Sequence, residues 1–245
     1  MVQQINIPTS NYRLKVCLNI FSTKGQSVTV TGFDAKHTEI VYFNTDIDLN
    51  AGDNAEYFCM PLTPEDLLIQ IQGDAKVVIE AIKTEAYPEK QLGINSDNQK
   101  YLEYLEWFAT VAGYSPTGEY TSPDGKVYFN YMNLIEAEPQ TPARVDHESR
   151  EGEVQWAKKH IQHYTVPMII AVGMHERTHW YTGTKDESEA DLSGAKICLD
   201  RGYPSNEILH ASTRILEGVD RNGRPIHRNI ERALAIKNLI ENYKG

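Results

Sequence analysis

The hydrophobic periodicity of this chain changes once, near residue 90, and that change limits the available folds more than any other feature. Up to about residue 88, apolar and polar residues alternate in short bursts: YRLKVCLNIF, QSVTVTGF, TEIVYFNT, LLIQIQG and AKVVIEAIK, divided by Gly, Asp, Asn and Pro. A period of two marks strands with one buried face, and several short ones in succession predict a β-sandwich or small barrel of about seven strands. After the polar stretch Pro88 to Gln99, Tyr101, Leu102, Leu105, Trp107, Phe108 and Val111 recur at helical spacing. The expected class is therefore α+β, with an all-β sandwich over residues 1–92 and a second domain over 93–245. A length of 245 residues is ample for both cores.

Within the second domain, GKVYFNYMN (Gly125 to Asn133) reads as a strand of a hairpin. ARVDH and EGEVQW fit a second hairpin around Ser149 to Gly152, and GEVQWAKKHIQHY fits the start of a helix equally well. Pro167 suits the first turn of a helix carrying MIIAVGMHERTHWY, with Gly183 just past its end. Met168, Ile169, Ile170, Val172 and Met174 are its expected core residues. Further helices are expected from Asp186 to Asp200, Ser205 to Glu217 and His227 to Tyr243.

Charge and cysteine content narrow the function. Lys+Arg 24 against Asp+Glu 34 leaves a formal charge of −10, the wrong sign for gripping phosphate backbones or anionic lipid. Neither nucleic acid nor a membrane is an expected partner. Cys17, Cys59 and Cys198 form no Cys-x-x-Cys pair and no disulfide framework, which suits a reducing compartment. The opening MVQQINIPTS lacks the basic-then-apolar design of a secretory leader, and no apolar run approaches the roughly 20 residues that span a bilayer. The expected location is the cytoplasm; packaging in a virion would leave no mark in the sequence.

Chemistry is concentrated at His175-Glu176-Arg177-Thr178-His179, a His-Glu-x-x-His pattern on the helix expected after Pro167. Four residues turn an α-helix by about 400°, so the two imidazoles share one face and can bind one metal ion. Glu176, offset by about 100°, is placed to address a water instead of the metal. The sequence continues with Lys185 where a metzincin would need its third histidine, which rejects that class. Several acids follow. Glu187 and Asp191 lie four apart on one helical face, the arrangement in which a Glu ligates and an Asp supports a ligand histidine. With Asp186 as N-cap, Glu189 can close a capping box and Glu187 is left free of the cap; with Thr184 as N-cap, Glu187 closes the box and is structural. Glu187 is the favoured third ligand, with Asp186 and Glu189 as alternatives. Two imidazoles and one carboxylate favour zinc with one open position for water, the catalytic type of site, in which Glu176 is the general base. An oxyanion stabiliser is expected among His210, His227, Tyr181 and Arg224, with nothing in the spacing to select one. The GKVYFNYMN strand is a candidate for binding an extended substrate by edge pairing. No role is expected for His160 or His163, and DRNGRPIHR reads as a loop.

HERTHW followed by DESEADLSGA resembles the gluzincin zinc metallopeptidases, and the short Glu-x-x-Ala-Asp form is similar to the ImmA/IrrE-type and minigluzincin-like peptidases. The resemblance covers about residues 120 to 245, where TPARVDH is similar to the edge-strand region of that family. ESEADLSGAKICLDRGYP also resembles zincin-like proteins encoded in structural modules of tailed phages. The resemblance implies a zincin-like second domain with one zinc on His175, His179 and Glu187, Asp191 behind a ligand, and hydrolysis of a peptide or protein substrate. Residues 1 to 90 resemble no known family, and their expected role is docking onto a substrate or a larger assembly such as a virion. A structural or docking protein with a zincin-like domain of little activity is the competing expectation, which an intact Glu176 disfavours.

Overall fold

Alternation in the first part of the chain becomes strands with one face turned inward. The computed structural model describes residues 2–10, 13–87, 94–138, 140–146, 151–216 and 227–244. The chain divides into two compact units, Met1–Glu89 and Lys90–Gly245. The boundary expected near residue 92 falls within 88–93, outside the described residues.

The first unit holds β1 (Val2–Pro8), β2 (Leu14–Ser22), β3 (Gln26–Asp34), β4 (Val41–Leu49), β5 (Gly52–Met60), β6 (Asp66–Gly73) and β7 (Val77–Ala86). They pair antiparallel in two sheets, β1-β6-β3-β4 and β5-β2-β7. The core comes from the central strands: Val16, Leu18 and Ile20 of β2, Val28 and Val30 of β3, and Leu67, Ile69 and Ile71 of β6 are all buried. Phe43 of β4 stacks on Phe58 of β5 with centroids 4.7 Å apart, which joins the two sheets as a sandwich. Strands β1 and β5 fall outside the five alternating bursts of the sequence. Both lie at sheet edges, where polar residues such as Gln4 and Glu56 meet water and blur the pattern.

The second unit begins with α1 (Ser96–Val111), continues through β8 (Gly118–Thr121), β9 (Tyr128–Met132), β10 (Ala143–Asp146) and β11 (Glu153–Ala157), and then turns helical. The helices are α2 (Lys158–Ile161), α3 (Val166–Thr182), α4 (Glu187–Arg201), α5 (Ser205–Leu216) and α6 (His227–Asn242). The chain is thus α+β. The segment that fits both a hairpin and a helix does both in turn: Glu153–Ala157 pairs with β10, and Lys158–Ile161 makes one helical turn. Of the turn expected at Ser149 to Gly152, residues 149 and 150 lie outside the described residues.

The four strands are ordered β10-β11-β9-β8, with β11 parallel to β9 and the other pairs antiparallel. This corrects the expectation that the Gly125 to Asn133 strand offers a free edge. Strand β9 is hydrogen-bonded on both sides, by β8 and β11, so its backbone has no capacity for another strand. The edges belong to β8 and β10.

Phe108 of α1 packs on Phe129 and Tyr131 of β9 and Trp156 of β11, with centroids 5.0, 5.4 and 5.4 Å away. The same helix reaches α3 through the Tyr101 hydroxyl, which donates to the Gly173 carbonyl at 3.1 Å. Helix α3 packs against α1, α4, α5 and β10 and is buried from Val166 to Thr178. This surround explains its apolar residues on all sides. All five expected core residues, Met168 to Met174, are buried. Among the described residues, no helix is long and apolar enough to cross a membrane.

Candidate metal centre

Local sequence sets both ends of α3. Thr165 caps its N-terminus by accepting from the Met168 N–H at 3.4 Å, Pro167 occupies the first turn, and Gly183 closes it with φ 69°. The left-handed turn at Gly183 folds the chain back, so that the Thr184 carbonyl lies 2.9 Å from His179 Nδ1. A carbonyl only accepts, so Nδ1 of His179 carries the proton and Nε2 faces the other way.

Asp186 then starts α4, accepting from the N–H groups of Ser188 and Glu189 at 2.8 and 3.3 Å. The capping box is only half formed: Glu189 accepts from the Thr184 hydroxyl at 2.6 Å, and the Asp186 N–H donates to Thr184 Oγ1 at 3.1 Å. The threonine two residues before the cap takes this bond in place of the Glu189 side chain. Asp186 and Glu189 are thereby occupied at the helix start. Glu187, at the first helical position, points instead to the histidines.

His175 Nε2 and His179 Nε2 lie 3.0 Å apart, and the Glu187 oxygens approach them at 3.5 Å each. One ligand atom from each of the three residues falls within 4.8 Å of the others. Among the described residues they are the one group of three or more such side chains able to hold a metal ion. Behind the imidazole of His175, Nδ1 is 2.8 Å from Asp191 Oδ1. Both outer ring nitrogens therefore face oxygen acceptors, and both inner ones converge with a carboxylate. Two imidazole nitrogens and a carboxylate that converge on one point, with their outer nitrogens held, are a donor set that fits a divalent metal.

The electrostatics point the same way. Burial opposes protonation of His175, but the contacts with Asp191 and Glu187, with the field of Glu176, outweigh it and raise the imidazole to about 10. His175, with the Arg232 guanidinium adding to it, holds Glu187 down at about 2, against partial burial. Burial pushes the Asp191 carboxyl up, and His175 and Arg232 overcome it to hold the group below the usual carboxylate range. Glu187 and Asp191 are thus held ionised, the form a ligand and the support of a ligand require.

Glu176 is buried beside these ligands without joining them. Its Oε2 accepts from the Val145 N–H of β10 at 2.9 Å. Burial raises its carboxyl to about 7, partly offset by His175 and the Val145 N–H. A carboxyl in that range can take and return a proton near neutral pH. Since Val145 N–H points away from β11, the alternation of an antiparallel ladder turns the backbone groups of Ala143 outward too. An open cleft of about 520 Å³ runs over the centre, lined by β10, α3 and the Thr184-Lys185 turn together with Glu138 and Arg232.

All five residues expected from the sequence, His175, Glu176, His179, Glu187 and Asp191, are brought together. Arg232 of α6 was not expected. Its guanidinium donates to both Asp191 oxygens at 2.6 and 3.0 Å and to Glu187 Oε2 at 3.1 Å. It lies 45 residues from Glu187 in the chain, and no local pattern marks it. Of the expected oxyanion stabilisers, Arg224 and the His227 side chain lie outside the described residues. His210 and Tyr181 are exposed and do not line the cleft. The Tyr181 ring instead faces the Arg177 guanidinium, 4.9 Å away. His160 and His163 also lie outside the cleft lining.

No family model matches the sequence, and no curated protein matches it. Among solved structures, a ruminal GH26 endo-β-1,4-mannanase aligns with a TM-score of 0.24 and 12% identity, covering 98% of this chain and 63% of that one. The chain spans less than two thirds of that enzyme's length, and a likeness at this level carries no argument about fold or activity.

Proposed function

We propose that the protein is a zinc-dependent metallopeptidase of gluzincin type, with a zincin-like second unit. The observation that carries this reading is the convergence of His175, His179 and Glu187 beside a buried glutamate that is not itself a ligand. A structural centre would have no use for Glu176 in that position. His175, His179 and Glu187 would hold the ion, and two imidazoles with one carboxylate favour zinc among the divalent metals. The chemistry such an ion supplies when bound is Lewis acidity toward a substrate carbonyl and a water.

The chain's own residues supply the rest. Asp191 and the Thr184 carbonyl orient the two imidazoles through their outer nitrogens. Glu176 accepts a proton from the attacking water as the new C–O bond forms, then returns it to the amine nitrogen as the C–N bond breaks. The products are a carboxylate and an amine. An extended peptide is the substrate shape we assign to the cleft, pairing with the edge strand β10 through the outward Ala143 N–H and Val145 carbonyl, since the Val145 N–H is taken by Glu176 and the Ala143 carbonyl by the Thr141 hydroxyl. The sandwich contributes no residue to the centre, and docking onto a protein substrate or a larger assembly is the role we assign to it.

Elemental analysis of the purified protein, followed by assay on a mixed peptide library, tests this reading. About one zinc per chain is expected, lost on Glu187→Ala and kept on Asp186→Ala and Glu176→Gln. Peptide cleavage should disappear in Glu176→Gln. Cleavage that survives in that variant, or a wild-type protein that takes up no zinc on reconstitution, would remove the proposal.

A further inference from the structure

We infer that Arg232 is the positioning residue of the metal centre, fixing a ligand and the support of another ligand to one rigid fork. This rests on the reading of His175, His179 and Glu187 as metal ligands. Nε and Nη2 of Arg232 grip both oxygens of Asp191, and Nη2 also reaches Glu187 Oε2. Asp191 Oδ1 in turn stands 2.8 Å from His175 Nδ1. The contacts run from the carboxylate ligand, through Arg232 and Asp191, to the first imidazole, so two of the three ligands are set by one guanidinium.

Two effects of Arg232 on a bound cation oppose each other. Its positive charge lowers the attraction of the centre for a dication. Its hydrogen bonds immobilise Glu187, whose side chain is 42% exposed and otherwise free to sample other rotamers. They also hold Asp191, whose side chain is only 7% exposed and cannot exchange the guanidinium for water. Positioning wins on this geometry. Arg232 bonds Glu187 through Oε2 and leaves Oε1 directed at His179 Nε2, so the ligand keeps a free oxygen for the metal. Removing Arg232 would release the ligand and leave a buried carboxylate short of a partner at once. A lysine keeps the charge without the planar fork, which separates the two effects.

Residues that support metal ligands typically change affinity by roughly ten- to a hundred-fold when removed. The test uses full-length wild type, Arg232→Gln, Arg232→Lys and, as a control on the outer face of α6, Lys237→Ala. Each is stripped of metal and titrated with zinc against a chromophoric chelator, and the visible spectrum of the cobalt-loaded form is recorded as a signature of ligand geometry. The zinc dissociation constant should rise by at least about tenfold in Arg232→Gln and by less in Arg232→Lys. Both cobalt spectra should change, and Lys237→Ala should match wild type. Unchanged or tighter zinc binding in Arg232→Gln, with a wild-type cobalt spectrum, overturns the inference while one zinc on the wild type leaves the metallopeptidase reading standing. A lower unfolding temperature in chelator with unaltered zinc affinity also overturns it, since that result marks a purely structural arginine. If Arg232→Gln does not fold, an unaltered affinity and cobalt spectrum in Arg232→Lys are decisive against it. A wild type that binds no zinc overturns both readings together.

Discussion

Glu106 of α1 is 6% exposed and keeps its place because Arg201 donates to both its oxygens at 2.9 Å and the Tyr203 hydroxyl donates at 2.7 Å. Taking one member from a buried pair leaves the other charge without compensation. Glu106→Ala should therefore lower stability by about 3–5 kcal/mol in urea unfolding, and a loss near zero would show that Arg201 finds another partner. A second expectation concerns alkaline pH. Burial pushes the phenols of Tyr101, Tyr131 and Tyr203 up, so they stay neutral in the fold at a pH where exposed tyrosines ionise. The unfolded chain loses these protons first, near pH 10, so the stability they contribute is whole below about 10 and falls as pH rises above it. Absorbance at 295 nm should show these three ionising only with unfolding; early ionisation of all tyrosines would contradict their burial. At this scale the sequence was readable where chemistry depends on close spacing. His175, Glu176 and His179 share one helix, and Glu187 with Asp191 share the next. Arg232 carries no such signature, because a guanidinium on a late helix looks like any surface cation until the fold brings it to Asp191.

The contact between α3 and α4 depends on a glycine. A Cβ at Gly194 would lie 2.8 Å from the His175 backbone nitrogen and 3.0 Å from the Met174 carbonyl carbon, atoms that cannot swing aside. Gly194→Ala should push α4 off α3, costing about 1–3 kcal/mol and carrying Glu187 and Asp191 away from His175. Chemical denaturation and a zinc titration on the same variant check this; normal zinc affinity would mean that α4 pivots without moving its first turn. Helix ends were legible because caps are local: Pro167, Gly183 and Asp186 act within one turn of themselves. Strand roles were not. GKVYFNYMN alternates like an edge strand, yet β11 returns parallel to it and closes its free side, leaving ARVD as the strand beside the centre. Which strand is outermost depends on neighbours far along the chain, and alternation does not encode them.

Over the whole molecule, the proposed metal centre draws all its residues from the second unit. A ligand that binds only the folded form stabilises the unit that holds it, by about 4 kcal/mol at a thousandfold excess over its dissociation constant. Calorimetry should accordingly show that a chelator lowers the unfolding transition of the second unit and leaves that of the sandwich in place. An equal shift of both would mean that the units unfold as one. The sequence alone determined the α+β class, the alternating strands of the first unit, the helix that runs from Pro167 to Gly183, and the histidine pair with its glutamate, because period, capping and i,i+4 spacing act over a few residues. The tertiary structure decided that Glu187 rather than Asp186 or Glu189 meets the imidazoles, that β10 is the strand over the centre, and that Arg232 ties Glu187 to Asp191. Each of those depends on groups from different elements arriving at one point, and only packing around α3 brings them there.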